Sequence, residues 1–152
     1  MTTANAHGVK RLWALLALLA LVSCREVRVR TLGTGTTTVL GSGNEISVVR
    51  DEAALGRFGI KAPISYRHEF GVVLLMGPHD RTGYKQIIES IRANPDGVRV
   101  VAFEAAPGDG GEPSAKYRTY TLWIVPNSVY RRGIAVHVVS PSGEAVANTT
   151  LP

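Results

Sequence analysis

The stretch Phe70-Gly71-Val72-Val73-Leu74-Leu75-Met76-Gly77 is apolar at every position, and it constrains the fold more than any other feature of the chain. A strand with one wet face alternates apolar and polar residues, whereas a strand with no polar face must be covered on both sides. This run is short and ends on glycine, which suits a central strand better than a helix. The chain must therefore place a layer of structure above it and another below it. At 152 residues the chain has room for one domain around such a strand, and 45% hydrophobic against 19% charged residues argues against disorder.

The flanking segments read as shorter strands and turns. Glu26-Val27-Arg28-Val29-Arg30 alternates and predicts a first strand, followed by a turn-rich break at Gly33-Thr34-Gly35-Thr36. Glu45 to Arg50 predicts a second strand. Asp51 is placed to cap a short helix from Glu52 to Phe58 that stops at Gly59. After the central run, Pro78-His79-Asp80-Arg81-Thr82-Gly83 reads as a polar loop. Tyr84 to Ile91 reads as a strand, although its alternation is blurred enough to admit a helix. Asn94-Pro95-Asp96-Gly97 predicts a hairpin turn into a return strand from Val98 to Ala105. Pro107 to Pro113 is too rich in glycine and proline for regular structure. A strand from Tyr117 to Val125 and a hairpin from Ile134 to Val139 and Glu144 to Thr149 complete the pattern. The expected class is α+β but mostly β: a compact antiparallel-rich sheet or sandwich with one short helix.

The N-terminal segment stands apart. Lys10 and Arg11 precede the unbroken apolar stretch Leu12 to Val22. As a helix this stretch spans about 16 Å, roughly half a bilayer core, which suits the apolar region of a secretory signal and not an anchor. The stretch ends in Leu21-Val22-Ser23-Cys24, which resembles the bacterial lipobox, and Cys24 is the single cysteine. That resemblance implies lipid attachment at the Cys24 thiol, cleavage before it, and a mature domain of residues 24–152. It also implies a membrane partner reached through the N-terminal lipid. Arg25 follows the cysteine, where an aspartate would resemble an inner-membrane retention signal. In a diderm source the expected location is the outer membrane, facing the periplasm or the surface. Two or more acyl chains anchor a protein stably, where one gives only marginal binding.

Removing residues 1–23 takes Lys10 and Arg11 from the formal charge of +5 and leaves +3. The basic residues are scattered, with small clusters at Arg28 and Arg30 and at Arg131 and Arg132, so no nucleic-acid partner is expected. One cysteine excludes a disulfide framework and a cysteine-based zinc cluster. His68, His79 and His137 lack metalloprotease spacing, and Ser42 lacks the nucleophile-elbow pattern. Asp109 and Glu112 supply few of the six to eight oxygens that calcium takes. No catalytic residue, metal or cofactor is expected. Trp123 and Tyr130 with Arg131 and Arg132 could rim a contact surface, but Trp123 lies in an apolar strand and reads as core.

The order of elements from about residue 48 to 127 resembles the C-terminal domain family of PrcB, a protease-complex subunit. The resemblance is carried by RDEAALGRFG and EFGVVLLMG, then PHDRTGYKQIIESI, VRVVAFEAAPGDGG and YRTYTLWIVPNS. One glycine, Gly83, precedes Tyr84 where that family usually has two, and Tyr120-Thr121 stands where it tends to have Pro-Tyr. The matching positions are Gly77, Thr82, Gly83, Tyr84, Pro107, Gly108 and Tyr120. The resemblance implies a non-catalytic accessory subunit, lipid-anchored in the cell envelope, whose partner is an exported protease or another envelope protein. It implies a turn glycine at Gly83 and a half-buried ring at Tyr84. Arg81-Thr82-Gly83-Tyr84 also resembles a loop of the chagasin-type cysteine protease inhibitors, with Pro107 to Gly111 standing for their second loop. The third loop of those inhibitors has no counterpart here. A structural or ligand-binding envelope lipoprotein is the remaining alternative.

Overall fold

A computed structural model describes residues 29–94 and 97–152. The signal segment, Cys24 and the beginning of the expected first strand lie outside the described residues. Among the described residues there are eight strands: β1 (Arg30–Thr37), β2 (Glu45–Val49), β3 (Glu69–Arg81), β4 (Lys85–Asn94), β5 (Gly97–Ala105), β6 (Pro113–Pro126), β7 (Ala135–Val139) and β8 (Ala145–Thr150). The helix α1 spans Glu52–Gly56, and a 3-10 turn spans Asn127–Val129. The strands form two four-stranded sheets in the orders β1-β6-β3-β2 and β4-β5-β7-β8. The mostly β expectation holds, with one short helix. All neighbouring pairs are antiparallel except β5 and β7, which run parallel.

The central strand is covered on both sides, as its composition demands. Phe70, Val72, Leu74 and Met76 of β3 join Trp123 and Val125 of β6 in the core between the sheets. There they meet Val98, Val100 and Ala102 of β5 and Val136 and Val138 of β7. On its other face, Val73 and Leu75 pack with Val49, Leu122, Leu55 and Ile60 beneath α1 and the segment that follows it. Gly71 lies under this second layer because a Cβ there would sit 2.4 Å from Val49 Cγ2. Trp123 is 1% exposed and belongs to the core, as read. Asp51 caps α1 as expected, accepting a 2.6 Å hydrogen bond from the Ala54 amide. Gly59 beyond the helix has φ +68°.

Two segments depart from expectation. Gly33-Thr34-Gly35-Thr36 is not a break but the middle of β1, with a register slip between Thr31 and Gly33. Neither glycine has positive φ. Gly35 makes room for the Tyr120 ring, whose atoms would lie 3.0 Å from an added Cβ. Pro78-His79-Asp80-Arg81 is likewise not a loop, because β3 continues through it and pairs His79 with Tyr117 and Arg81 with Pro113 of β6.

The segment expected from Tyr84 to Ile91 proves to be a strand, which starts at Lys85 and runs on to Asn94. The blurred alternation is the trace of a bulge: Ile88 faces Ala102 and Ser90 faces Val101, leaving Glu89 as the extra residue. Ile88 and Ile91, an odd number of positions apart, both pack on the inter-sheet core. A regular strand would send them to opposite faces.

Candidate functional site at the loop end of the sandwich

The irregular end of β3 builds the site. On β6, Thr119 and Tyr117 stand two positions apart and share a face. Their partners on β3 are Met76 and His79, three positions apart. The extra residue on β3 returns the odd-numbered His79 to the face that carries Met76, which is the face between the sheets. Gly77, with φ +113°, lies inside this irregularity, and its amide donates to Asn44 Oδ1 at 3.3 Å.

His79 thereby meets the second sheet. Its Nε2 lies 2.9 and 3.0 Å from the two carboxylate oxygens of Glu104 on β5. The Thr119 hydroxyl donates to Glu104 Oε1 at 2.5 Å, and Gln86 Nε2 on β4 donates to Thr119 Oγ1 at 3.0 Å. Gln86 also reaches the Leu74 carbonyl at 3.3 Å. The His79 ring stacks on Tyr84 with centroids 3.8 Å apart and planes 11° from parallel. Tyr117 approaches the same imidazole at 5.7 Å and donates its hydroxyl proton to the Arg81 carbonyl at 2.7 Å. Glu104, on the second sheet, thus receives donors from two strands of the first, and the hydrophobic core ends in a polar layer whose hydrogen bonds tie the sheets together. Charge-assisted bonds of this kind are the stronger ones in a protein. The carboxylate stands between the imidazole and the threonine hydroxyl, so each donates to the acid and neither activates the other.

Beyond this layer two connections are laced side by side. The Thr82 amide donates to the Glu112 carbonyl at 2.8 Å, and the Glu112 amide donates back to Thr82 Oγ1 at 3.2 Å. Arg81 Nη1 donates to the Gly111 carbonyl at 3.0 Å. The β5–β6 connection is folded by its own bonds, from the Gly110 amide to the Pro107 carbonyl at 3.1 Å and from the Gly111 amide to Asp109 Oδ1 at 3.0 Å. Close approach fixes the glycines. A Cβ on Gly83, where φ is +97°, would lie 2.8 Å from Pro107 Cβ. On Gly111, where φ is +65°, it would lie 2.1 Å from the Thr82 carbonyl oxygen.

Of the residues singled out from sequence, Gly77, Thr82, Gly83, Tyr84, Pro107 and Gly108 fall at this end. Gly83 has its turn conformation and Tyr84 its half-buried ring. Tyr120 does not join them; it packs on the outer face of the first sheet with Leu32 and Leu122. Asp109 uses one carboxylate oxygen on the Gly111 amide, and Glu112 is exposed. Tyr130 lies away from the loops, edge-on to Phe70 at 5.5 Å with the Arg50 guanidinium 4.1 Å above its ring. Sequence reasoning missed Gln86, Glu104, Tyr117 and Thr119 as a group, because only the β3 irregularity aligns them with His79. Compared with known proteins, the chain matches no family model, no curated protein and no solved structure.

Proposed function

We propose that this chain is a non-catalytic, lipid-anchored protein of the bacterial cell envelope that works through protein contacts, as an accessory or binding subunit of a protease complex. The observation that supports this reading is the lacing of the Arg81–Tyr84 and Pro107–Glu112 segments into one surface. A surface whose backbone is already ordered loses less entropy on binding a partner. The polar layer beneath it holds that surface in place, and its histidine and threonine both donate to one carboxylate instead of forming a nucleophile and its base. The lipobox-like segment ending in Cys24 supports the anchor.

Affinity capture from solubilised membranes tests the partner. The expected result is an exported protease or a processed partner retained by the native chain and lost when Thr82 is changed to Ala. Capture of no protease overturns the reading. Cys24→Ser is expected to abolish lipid labelling and release the protein from membranes; attachment that survives the change overturns the anchor. A second reading, a chagasin-like inhibitor, is favoured by the placement of the two loops together at one end of a two-sheet sandwich. It predicts inhibition of papain-like enzymes that weakens on changing Thr82 or Gly83, and no inhibition at micromolar protein would sink it.

A further inference from the structure

The first strand is a sheet edge that no described residue protects in the usual way. Among the described residues, β1 pairs with β6 on one side and with no strand on the other. Exposed edges are normally blunted by proline, by inward-pointing charge or by a covering helix. β1 reads RTLGTGTT, with its single charge at its first residue. At Gly33 an added Cβ would meet nothing within 4 Å. Glycine inside a strand often marks a place where another backbone or a ligand comes close.

Two clefts flank this strand, one on each of its faces. The first, of about 260 Å³, is lined by Thr34 and Thr36 of β1, Thr119 of β6, Tyr84, and Lys85, Gln86 and Ile87 of β4. Ile87 is 38% exposed, one of two large hydrophobic side chains left so among the described residues. The second, of about 300 Å³, lies on the outer face, where Leu32 and Gly33 of β1 meet Ile60, Lys61 and Pro63. The outer cleft is mainly aliphatic, the first sets Ile87 and two tyrosine rings among threonines and Gln86, and each has one lysine in its lining.

We propose that β1 receives an extended peptide as a further strand of the first sheet, with an apolar side chain in each cleft and acidic residues beside Lys61 and Lys85. The alternation of a strand supplies the geometry. Side chains an odd number of positions apart point to opposite faces, so one added strand enters both clefts at once. A second copy of this chain pairing β1 with β1 offers one apolar side chain, Leu32, for two clefts, and that side chain already lines the outer one. Neither lysine forms an ion pair among the described residues, which leaves both for an acidic partner. The site does not use the laced Thr82–Glu112 surface, although its first cleft shares Tyr84, Gln86 and Thr119 with the layer beneath that surface.

The test pans a displayed library of random decapeptides against the full processed chain in detergent. The expected outcome is enrichment of alternating apolar sequences with acidic flanks. Their binding slows exchange of the β1 amides and weakens at least tenfold on Gly33→Val, which has room and extended backbone and keeps the thermal midpoint. Lys85→Glu is expected to weaken binding at least threefold, and Thr82→Ala to leave it unchanged. No enrichment, or peptides that bind Gly33→Val as tightly as the native chain, overturns the proposal. Self-association abolished by Gly33→Val, with no peptide bound, also overturns it by making the occupant a second copy.

Discussion

Three glycines in one connection separate the two physical reasons for needing glycine. Gly108 has neither positive φ nor any atom within 4 Å of an added Cβ. Gly110 has φ +80° with the same open space, and Gly111 has φ +65° with the Thr82 carbonyl oxygen 2.1 Å from the Cβ position. Changing each to alanine in turn adds one cost at a time. Gly108→Ala should be neutral or stabilising by up to about 0.5 kcal/mol, because it only restricts the unfolded chain. Gly110→Ala should cost about 1 kcal/mol for holding a Cβ in the left-handed region. Gly111→Ala pays that strain and must also push Thr82 away by about 1 Å, since Cβ atoms essentially never approach within 3.0 Å. That shift breaks the reciprocal Thr82–Glu112 pair, whose bonds at this exposed position are worth about 0.5–1 kcal/mol each. The total is about 2–3 kcal/mol.

Urea unfolding followed by tryptophan fluorescence measures the differences, and amide exchange at Thr82 and Glu112 reports whether the lacing opens. Gly111→Ala is expected to lower the thermal midpoint by roughly 8–12 °C at about 4 °C per kcal/mol. It should also speed exchange at both amides, while Gly110→Ala leaves both protected. If Gly111→Ala proves as mild as Gly110→Ala, the two connections do not touch as described, and the argument for an ordered partner-binding surface fails with them.

The Arg118 side chain is 1% exposed and donates to Glu45 Oε2 at 3.2 Å and to the Gly43 carbonyl at 2.6 Å. Glu45→Ala is expected to cost about 3 kcal/mol in urea unfolding by leaving the buried guanidinium without its counter-charge, and Arg118→Met less, because the Glu45 it releases is 43% exposed and stays solvated. Leu74→Ala opens a hole where β3 meets the second sheet and should cost about 2–5 kcal/mol by the same assay. Burial, then the charges of Asp51 and Glu52, raise the Tyr66 phenol above its ordinary value of 10.0. The unfolded chain therefore ionises first as pH rises, so the stability that Tyr66 contributes is whole below pH 10 and is lost above it. Absorbance titration should find the Tyr66 phenol ionising late, and Tyr66→Phe should flatten the alkaline fall in stability. Its hydroxyl has no partner among the described residues, so the same change should cost little at neutral pH.

What could be read from the sequence was whatever a single segment decides for itself. The Phe70–Met76 run demanded two covering layers and has them, and Asp51 announced a helix start that its own side chain makes. Glycine misled where its reason lay elsewhere in the chain. Gly35 looks like punctuation, but Tyr120, far along the sequence, takes the volume its side chain would have occupied. The same limit hid the polar layer. A histidine three positions beyond Met76 belongs on the opposite face of a regular strand, so no spacing rule could bring His79 to Glu104. One extra residue in β3 reverses that assignment, and a second in β4 keeps Ile88 and Ile91 both facing the core. Both irregularities fall in strands that feed the Thr82–Tyr84 connection. Reversing parity near a loop lets a sandwich end its apolar core and begin a polar layer without ending its strands. In this chain the surface proposed to meet a partner stands on that layer, so removing either extra residue should disorder the loops before it unfolds the sheets.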